Sequence, residues 1–464
     1  MLSASVKRTQ YPVGHGGFHV GCIELIDGQQ PSGPTVRESA FQKFWYVYDC
    51  GSEHNAALKS ALASYRTASE GQTHILFVSH LHSDHISGVE KLQAQAPAQT
   101  VIVPYLDLVE RLLFVLSDMA SGAISSSALA YFADPAGWWA ERRATRVIFL
   151  EPSNPDDDPP AAAGGPDEPA PGGGQPDGGE AMDRAQKEPR GRLAAHFRQP
   201  RGNLPAGLKT PDVNARDLGE GTYLVRAGSS LQLEWRSNSR DAWRMADWVL
   251  LPYVHPSDKI TRGKFRAALR RLLKTRINNE EKLSNILLEH LMSPAKTKAL
   301  LDLYADHFGR DHNALSMSLY SGPLCRRVTS RDDRDDWKWV WHADLKHGRY
   351  GRWFSGGAVG WLGTGDAPLK QSARREPWLK FFKTFASDVL VMTLPHHGSA
   401  HNFHEEILAF DRMRVALATT VERRRRVAGL LTTLDVVEDH GIHGWTVDDK
   451  SSNRFSIFCQ RGMR

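Results

Sequence analysis

Membrane spans, paired cysteines and internal repeats are all wanting in this 464-residue chain. No uncharged apolar run approaches the roughly 18 to 20 residues that crossing a bilayer requires, and the opening MLSASVKRTQYPVGHGG shows no apolar segment of the secretory kind. The expected location is therefore cytoplasmic, with no membrane partner. The four cysteines, Cys22, Cys50, Cys325 and Cys459, stand far apart without a CxxC pair, which excludes a disulfide framework and a thiolate zinc site. They read as small core residues. No zinc finger and no RNA-recognition signature is present, so a nucleic-acid ligand would be held through its backbone rather than read base by base.

What is present describes a globular protein: 41% hydrophobic and 24% charged residues supply ample material for a core. The net charge of +5 conceals an asymmetry. Eight acidic residues and no Lys or Arg lie between Glu151 and Glu180, so the remainder of the chain carries +13, an excess that attracts polyanions. Around those acids, residues 152–191 are dominated by Pro, Gly, Ala and Asp and contain almost nothing to bury, which predicts a disordered loop.

Short β-rich runs alternate with helical patterns on both sides of that loop. FHVGCIEL, KFWYVYDCG and THILFVSH read as buried strands, and Ala56 to Tyr65 and Leu106 to Leu116 as helices. GTYLVRAG and SLQLEW read as a hairpin, followed by the strand DWVLLPYVHP and a basic helical insertion over 257–312. ALSMSLYSG, AVGWLGTGD, DVLVMTLPHHG, RVALATT and RFSIFCQ read as further strands, with a helix near Asn402 to Phe410. Sheets sandwiched between helices are the expected α/β architecture.

The chemistry gathers at Ser79-His80-Leu81-His82-Ser83-Asp84-His85, directly after an apolar strand. Three imidazoles and a carboxylate on one tight loop at a sheet edge suit Zn, Mn or Fe better than Mg or Ca. Solvated surface histidines would not cluster in this way. His15, His19 and His74, by contrast, read as ordinary structural histidines.

HxHxDH after a strand resembles the signature of the metallo-β-lactamase superfamily, and other positions fall into the order that family uses. Asp49 in YVYDCG is similar to the Asp that braces the metal loop. Gly363-Thr364-Gly365-Asp366 resembles the motif whose Asp bridges two metals, and Leu394-Pro395-His396-His397-Gly398-Ser399 the last metal motif. The GTGD and PHHGS forms look most like the metallo-β-lactamase domain of ComEC-type competence proteins, which is associated with DNA degradation, and like its stand-alone relatives in bacterial conflict and antiviral defence. The resemblance implies an αββα sandwich over residues 11–464 and two divalent ions, Zn or Mn. His80 and His82 would hold one ion, Asp84 and His85 the other, with Asp366 between them and His397 completing the second site. Asp84 and His396 are the expected catalytic groups, His396 as a substrate-facing acid or phosphate contact. Many relatives carry one more ligand histidine, for which His196 and His255 are candidates.

Two cations about 3.5 to 4 Å apart can lower the pKa of a shared water to near 7 and stabilise charge on attacking and leaving oxygens, which suits phosphodiesters. Lys259 to Arg276 carries Phe265, Leu269, Leu272 and Leu273 at helical spacing beside Arg262, Arg266, Arg270 and Lys274. With Arg423 and Arg424 this stripe could follow a phosphate backbone, and some of the thirteen tryptophans could stack on single strands. The leading expectation is a nuclease acting on DNA or RNA. A hydrolase of a small or lipid-headgroup phosphodiester and a non-catalytic binding protein are the alternatives. The acidic loop would serve as an inhibitory or proteolytically controlled segment, with a regulatory protease as partner.

Overall fold

The computed structural model describes residues 2–27, 42–121, 126–152, 191–198, 215–219, 221–225, 228–237, 243–256, 259–275, 280–308, 316–323, 337–343, 354–355, 357–421 and 424–461. The acidic segment 153–190, Cys325 and Arg423 lie outside them.

Two sheets face each other. The first runs, in spatial order, Phe354–Ser355, Trp337–Ala343, Phe455–Arg461, Leu2–Gln10, His19–Asp27, Gln42–Tyr48, Thr73–Phe77, Ala98–Pro104, Arg146–Leu150, Thr222–Val225 and Ala215–Gly219. The second runs His443–Val447, Val415–Thr419, Val389–Thr393, Gly360–Gly363, Met317–Pro323, Trp243–Val254, Ser230–Ser237 and Gly191–Arg198. The first sheet draws strands from both sides of the acidic segment, and the second only from residues that follow it.

Strands that are apolar along their whole length find apolar surroundings on both faces. Phe44, Tyr46 and Tyr48 face the core between the sheets together with Ile75, Phe77, Leu390 and Val415. The alternate residues Trp45, Val47, Leu76 and Val78 meet the helices Asn55–Ser69, Val89–Gln95 and Pro135–Glu141 through Leu58, Leu62, Tyr65, Leu92 and Trp139. On the far side, Trp378, Phe381 and Phe382 of helix Ser372–Phe382 and Leu430 and Val437 of helix Arg424–Asp439 cover the second sheet. The layers are thus helix, sheet, sheet, helix, as an αββα sandwich requires. The basic insertion forms helices Lys259–Leu272, Glu280–Leu291 and Pro294–Phe308, whose Phe265, Leu269, Leu287 and Leu300 pack on Leu108, Leu112 and Leu116 of helix Leu108–Ser121.

Three sequence expectations need correction. Thr222–Val225 and Ser230–Ser237 are no hairpin: the first pairs with Arg146–Leu150, the second with Trp243–Val254 and Gly191–Arg198 in the opposite sheet. Val225, Leu231 and Leu233 all enter the inter-sheet core, so the chain turns between the sheets rather than folding back within one. Near 402–410 only the turn Glu405–Leu408 is helical, while Phe403, Ile407, Leu408 and Phe410 anchor the segment one by one. The boundary expected at residue 11 omits the strand Leu2–Gln10, which pairs on both edges, with Phe455–Arg461 and His19–Asp27.

Candidate metal centre

Parallel strands of both sheets end at one place. Gln42–Tyr48 delivers Asp49 and Thr73–Phe77 delivers the His80–His85 loop, while Gly360–Gly363 delivers Asp366 and Val389–Thr393 the turn Pro395–Gly398. The sheets are tied beside this point. Met317 N donates to Ser79 O at 2.8 Å and Tyr48 Oη to Met317 O at 2.6 Å.

Among the described residues, the carboxylates and imidazoles fall into two groups able to hold an ion, Asp84–His85–Asp366–His397 and His80–His82–Asp84. In the first, His397 Nε2 lies 2.9 Å from Asp84 Oδ2 and 3.8 Å from Asp366 Oδ1, and His85 Nε2 lies 3.5 and 3.2 Å from the same two oxygens. An ion bonded at about 2.0–2.1 Å to four tetrahedral ligands keeps its donor atoms about 3.4 Å apart, so the observed spacings bracket that of ligands around one ion. Further signs of fit are the Nε2 atoms of His80 and His85, which are buried and accept or donate no hydrogen bond. Charge in the group is strongly coupled. Burial opposes ionisation of Asp366, but His396, His85, His80 and His397 outweigh it and hold the carboxyl well below its usual range. Burial likewise opposes charge on His85, yet Asp84, Asp366 and Asp49 raise it well above an ordinary imidazole.

Residues 41–158 match the metallo-beta-lactamase superfamily model. That span is similar to a metallo-beta-lactamase domain. The matched span takes in Asp49 and the His80–His85 loop, and folding adds Asp366, His396 and His397 from beyond it. No curated protein matches the chain significantly. Domain and cluster together support a metal-dependent hydrolase.

The metal centre orients its imidazoles from behind. Asp49, left-handed at φ 59°, accepts Ser79 N at 2.6 Å and Ser79 Oγ at 2.7 Å, and its Oδ2 receives His85 Nδ1 at 2.8 Å. Ser79 Oγ in turn sits 2.9 Å from His80 Nδ1, so one carboxylate braces two imidazoles and leaves both Nε2 atoms facing inward. Gly51 permits the close packing this needs: a Cβ there would stand 2.4 Å from the His85 carbonyl carbon. Asp49→Asn is expected to retain the fold but to weaken metal affinity about 10–100-fold, as losses behind a metal ligand do. Competition against a chromogenic chelator measures this; unchanged affinity would refute the bracing role.

His15, which sequence reading leaves among the ordinary histidines, belongs to this site. Its ring lies against His397 at 4.0 Å, Nδ1 meets Thr420 Oγ1 at 3.2 Å, and Nε2 stands 3.9 Å from Asp84 Oδ2. The only sequence signal was its setting among Gly14, Gly16 and Gly17. His74 and His19 are structural: His74 accepts Trp45 N at 3.0 Å, and His19 stacks on Trp361 at 3.7 Å.

Of the candidates for an additional ligand, His255 is not among the grouped donors. His255 is buried edge-on to Tyr253 at 4.9 Å, and Tyr253 contacts Phe381 in the core outside the second sheet. Burial first, then Arg374, pushes its imidazole down to about 3. The His196 side chain lies outside the described residues. The cationic stripe is also less uniform than its spacing predicts. Arg262 is ion-paired to Asp107 and, at 2.9 Å, to the buried Glu110, so it fastens the insertion to the helix Leu108–Ser121. Arg266 reaches Asp107 at 3.1 Å but is half exposed, and Arg270 and Lys274 are exposed. Arg424 opens the last helix with its side chain outside the described residues.

Proposed function

We propose that the chain hydrolyses phosphodiesters in the backbone of DNA or RNA. The observation that carries this reading is the placement of Asp366, whose two carboxylate oxygens face different histidines. Oδ1 faces His85 and His397, and Oδ2 faces His80 and His396. Asp366 would thereby help to hold two divalent ions, Zn or Mn by donor type, which would supply charge stabilisation to both the attacking and the leaving oxygen of an in-line displacement. Such ions would acidify water and neutralise charge gathering on the phosphate. Asp84 and Asp366 supply the anionic donors, His80, His82, His85 and His397 the neutral ones, and Asp49 keeps the loop from turning away.

Support for a polymeric substrate comes from what borders the site. Phe114 faces the His82 ring at 6.4 Å, and the helix that carries it is the one on which the basic insertion packs. Arg266, Arg270 and Lys274 are exposed cations of that insertion, which supports a substrate with a phosphate backbone. The segment 152–191, for which a control function is proposed, lies outside the described residues over 153–190.

The test uses purified protein and Asp84→Ala with plasmid DNA, single-stranded DNA, RNA and bis(p-nitrophenyl) phosphate in Mn²⁺ or Zn²⁺. Polymer cleavage by the parent alone is expected. Reversing Arg266, Arg270 and Lys274 to Glu should leave the small ester untouched, lower polymer cleavage at least about tenfold and flatten the salt dependence by up to about three units of slope. Turnover of small bis-esters only would remove nucleic acid from the proposal. A metal-loaded but inert protein would remove hydrolysis.

A further inference from the structure

In the turn Pro395–Gly398 two consecutive histidines adopt left-handed backbone, His396 at φ 47°, ψ 56° and His397 at φ 58°, ψ 22°. Left-handed backbone is unfavourable for a non-glycine residue, and the strain persists only where surrounding contacts impose it. Its consequence is directional. Neighbouring side chains of extended chain point to opposite sides, but here both rings turn toward Asp366. His396 Nε2 lies 3.6 Å from Oδ2, and His397 Nε2 lies 3.8 Å from Oδ1. Oδ2 also faces His80 Nε2 at 3.5 Å, and Oδ1 also faces His85 Nε2 at 3.2 Å. Asp366 thus divides four imidazoles into two pairs.

The outer nitrogens repeat one pattern. His85 Nδ1 is held by Asp49, His80 Nδ1 by Ser79, His397 Nδ1 by Thr419 at 3.0 Å, and His396 Nδ1 by Asn402 Oδ1 at 3.1 Å. Asn402 is buried, and its Nδ2 donates to the Asp366 carbonyl at 3.3 Å, which fixes the amide with its oxygen toward His396. An amide oxygen only accepts, so it takes the Nδ1 proton of His396 and leaves the Nε2 lone pair directed into the cluster.

We infer that His396, which shares Asp366 Oδ2 with His80, is the third imidazole of the first metal site, where His80 and His82 are grouped with Asp84, while His397 serves the second. One PHHG turn then supplies both sites, and the histidine sought on a separate strand is not required. This rests on the cluster being a metal centre. The His396 side chain is 30% exposed, whereas those of Asp366 and His397 are buried.

The experiment is metal titration of the full chain with Mn²⁺ and Zn²⁺, read by elemental content after dialysis and by the Mn²⁺ paramagnetic resonance spectrum. His396→Asn is the variant of choice because asparagine tolerates left-handed backbone. The parent should bind two ions with a spin-coupled spectrum. The variant should keep one ion at parental affinity, lose the other by at least about a hundredfold and show an uncoupled spectrum. Asn402→Ala, which leaves every donor in place, should weaken the same ion about 10–100-fold and decides the matter if His396→Asn does not fold. Two ions bound by the variants at parental affinity, or both ions lost together, overturns the assignment. Failure of the parent to bind any ion overturns the metal-centre reading instead.

Discussion

Replacing Asp366 by asparagine is expected to lower hydrolysis at least about a thousandfold while leaving the fold intact. Asn matches the carboxylate in shape, so the change removes charge and one anionic donor from a group that is only 2% exposed. The four surrounding imidazoles, which together hold the Asp366 carboxyl well below its usual range against the effect of burial, lose the charge that collects them. Charge stabilisation of several kcal/mol is at stake where ions act on a phosphoryl oxygen, and each 1.36 kcal/mol is a factor of ten. Steady-state hydrolysis of bis(p-nitrophenyl) phosphate, with metal content and circular dichroism measured on the same sample, checks the expectation. Activity within tenfold of the parent would show that Asp366 is a turn residue and not a bridge.

Chelation is expected to have the second largest effect, abolishing hydrolysis and lowering the thermal midpoint by several degrees. An ion present at about a thousand times its dissociation constant adds about 4 kcal/mol to the native state. The pH dependence has a definite sign. In the metal-free protein, burial disfavours charge on His85, but Asp84, Asp366 and Asp49 prevail and raise its pKa well above the ordinary value. A group raised in this way stabilises the metal-free fold fully below its unfolded pKa of about 6.5, and that contribution is lost as pH rises through the folded value. An entering ion must displace the same proton, so its affinity strengthens with rising pH and protons are released. The midpoint gap between loaded and stripped protein should therefore widen from about pH 6 to about pH 8.5. Calorimetric titration in buffers of different ionisation enthalpy should register proton release. A gap that narrows with pH, or heats independent of buffer, would contradict the assignment of His85.

Much of the site could be read before folding because its donors sit in short runs of distinctive side-chain type. His80, His82, Asp84 and His85 fit no structural pattern on a strand end, and Asp366 and the paired histidines follow strands of their own. His15 could not be read in that way. Its place depends on Thr420, hundreds of residues away, and on an Asp84 that only the closed sandwich brings within 3.9 Å. The helices Ser372–Phe382 and Arg424–Asp439 also escaped notice. The first contains Pro377, and the second opens on an arginine run that drew attention from Leu430, Leu434 and Val437 on its buried face. Arg262 looked like part of a solvent-facing stripe because spacing places a residue on a helix face but does not say which acids a neighbouring helix will bring to it.

Residue type and local order alone determined the chemistry: hard and borderline donors at strand ends, apolar strands needing cover on both faces, and an excess of cations outside one acidic segment. Only the tertiary structure decided which atoms meet. Partition of the imidazoles between the oxygens of Asp366, the enrolment of His15 and the common direction of His396 and His397 depend on backbone torsions and on contacts between distant strands. These are set when two sheets close on a shared core, and no window of sequence contains both partners.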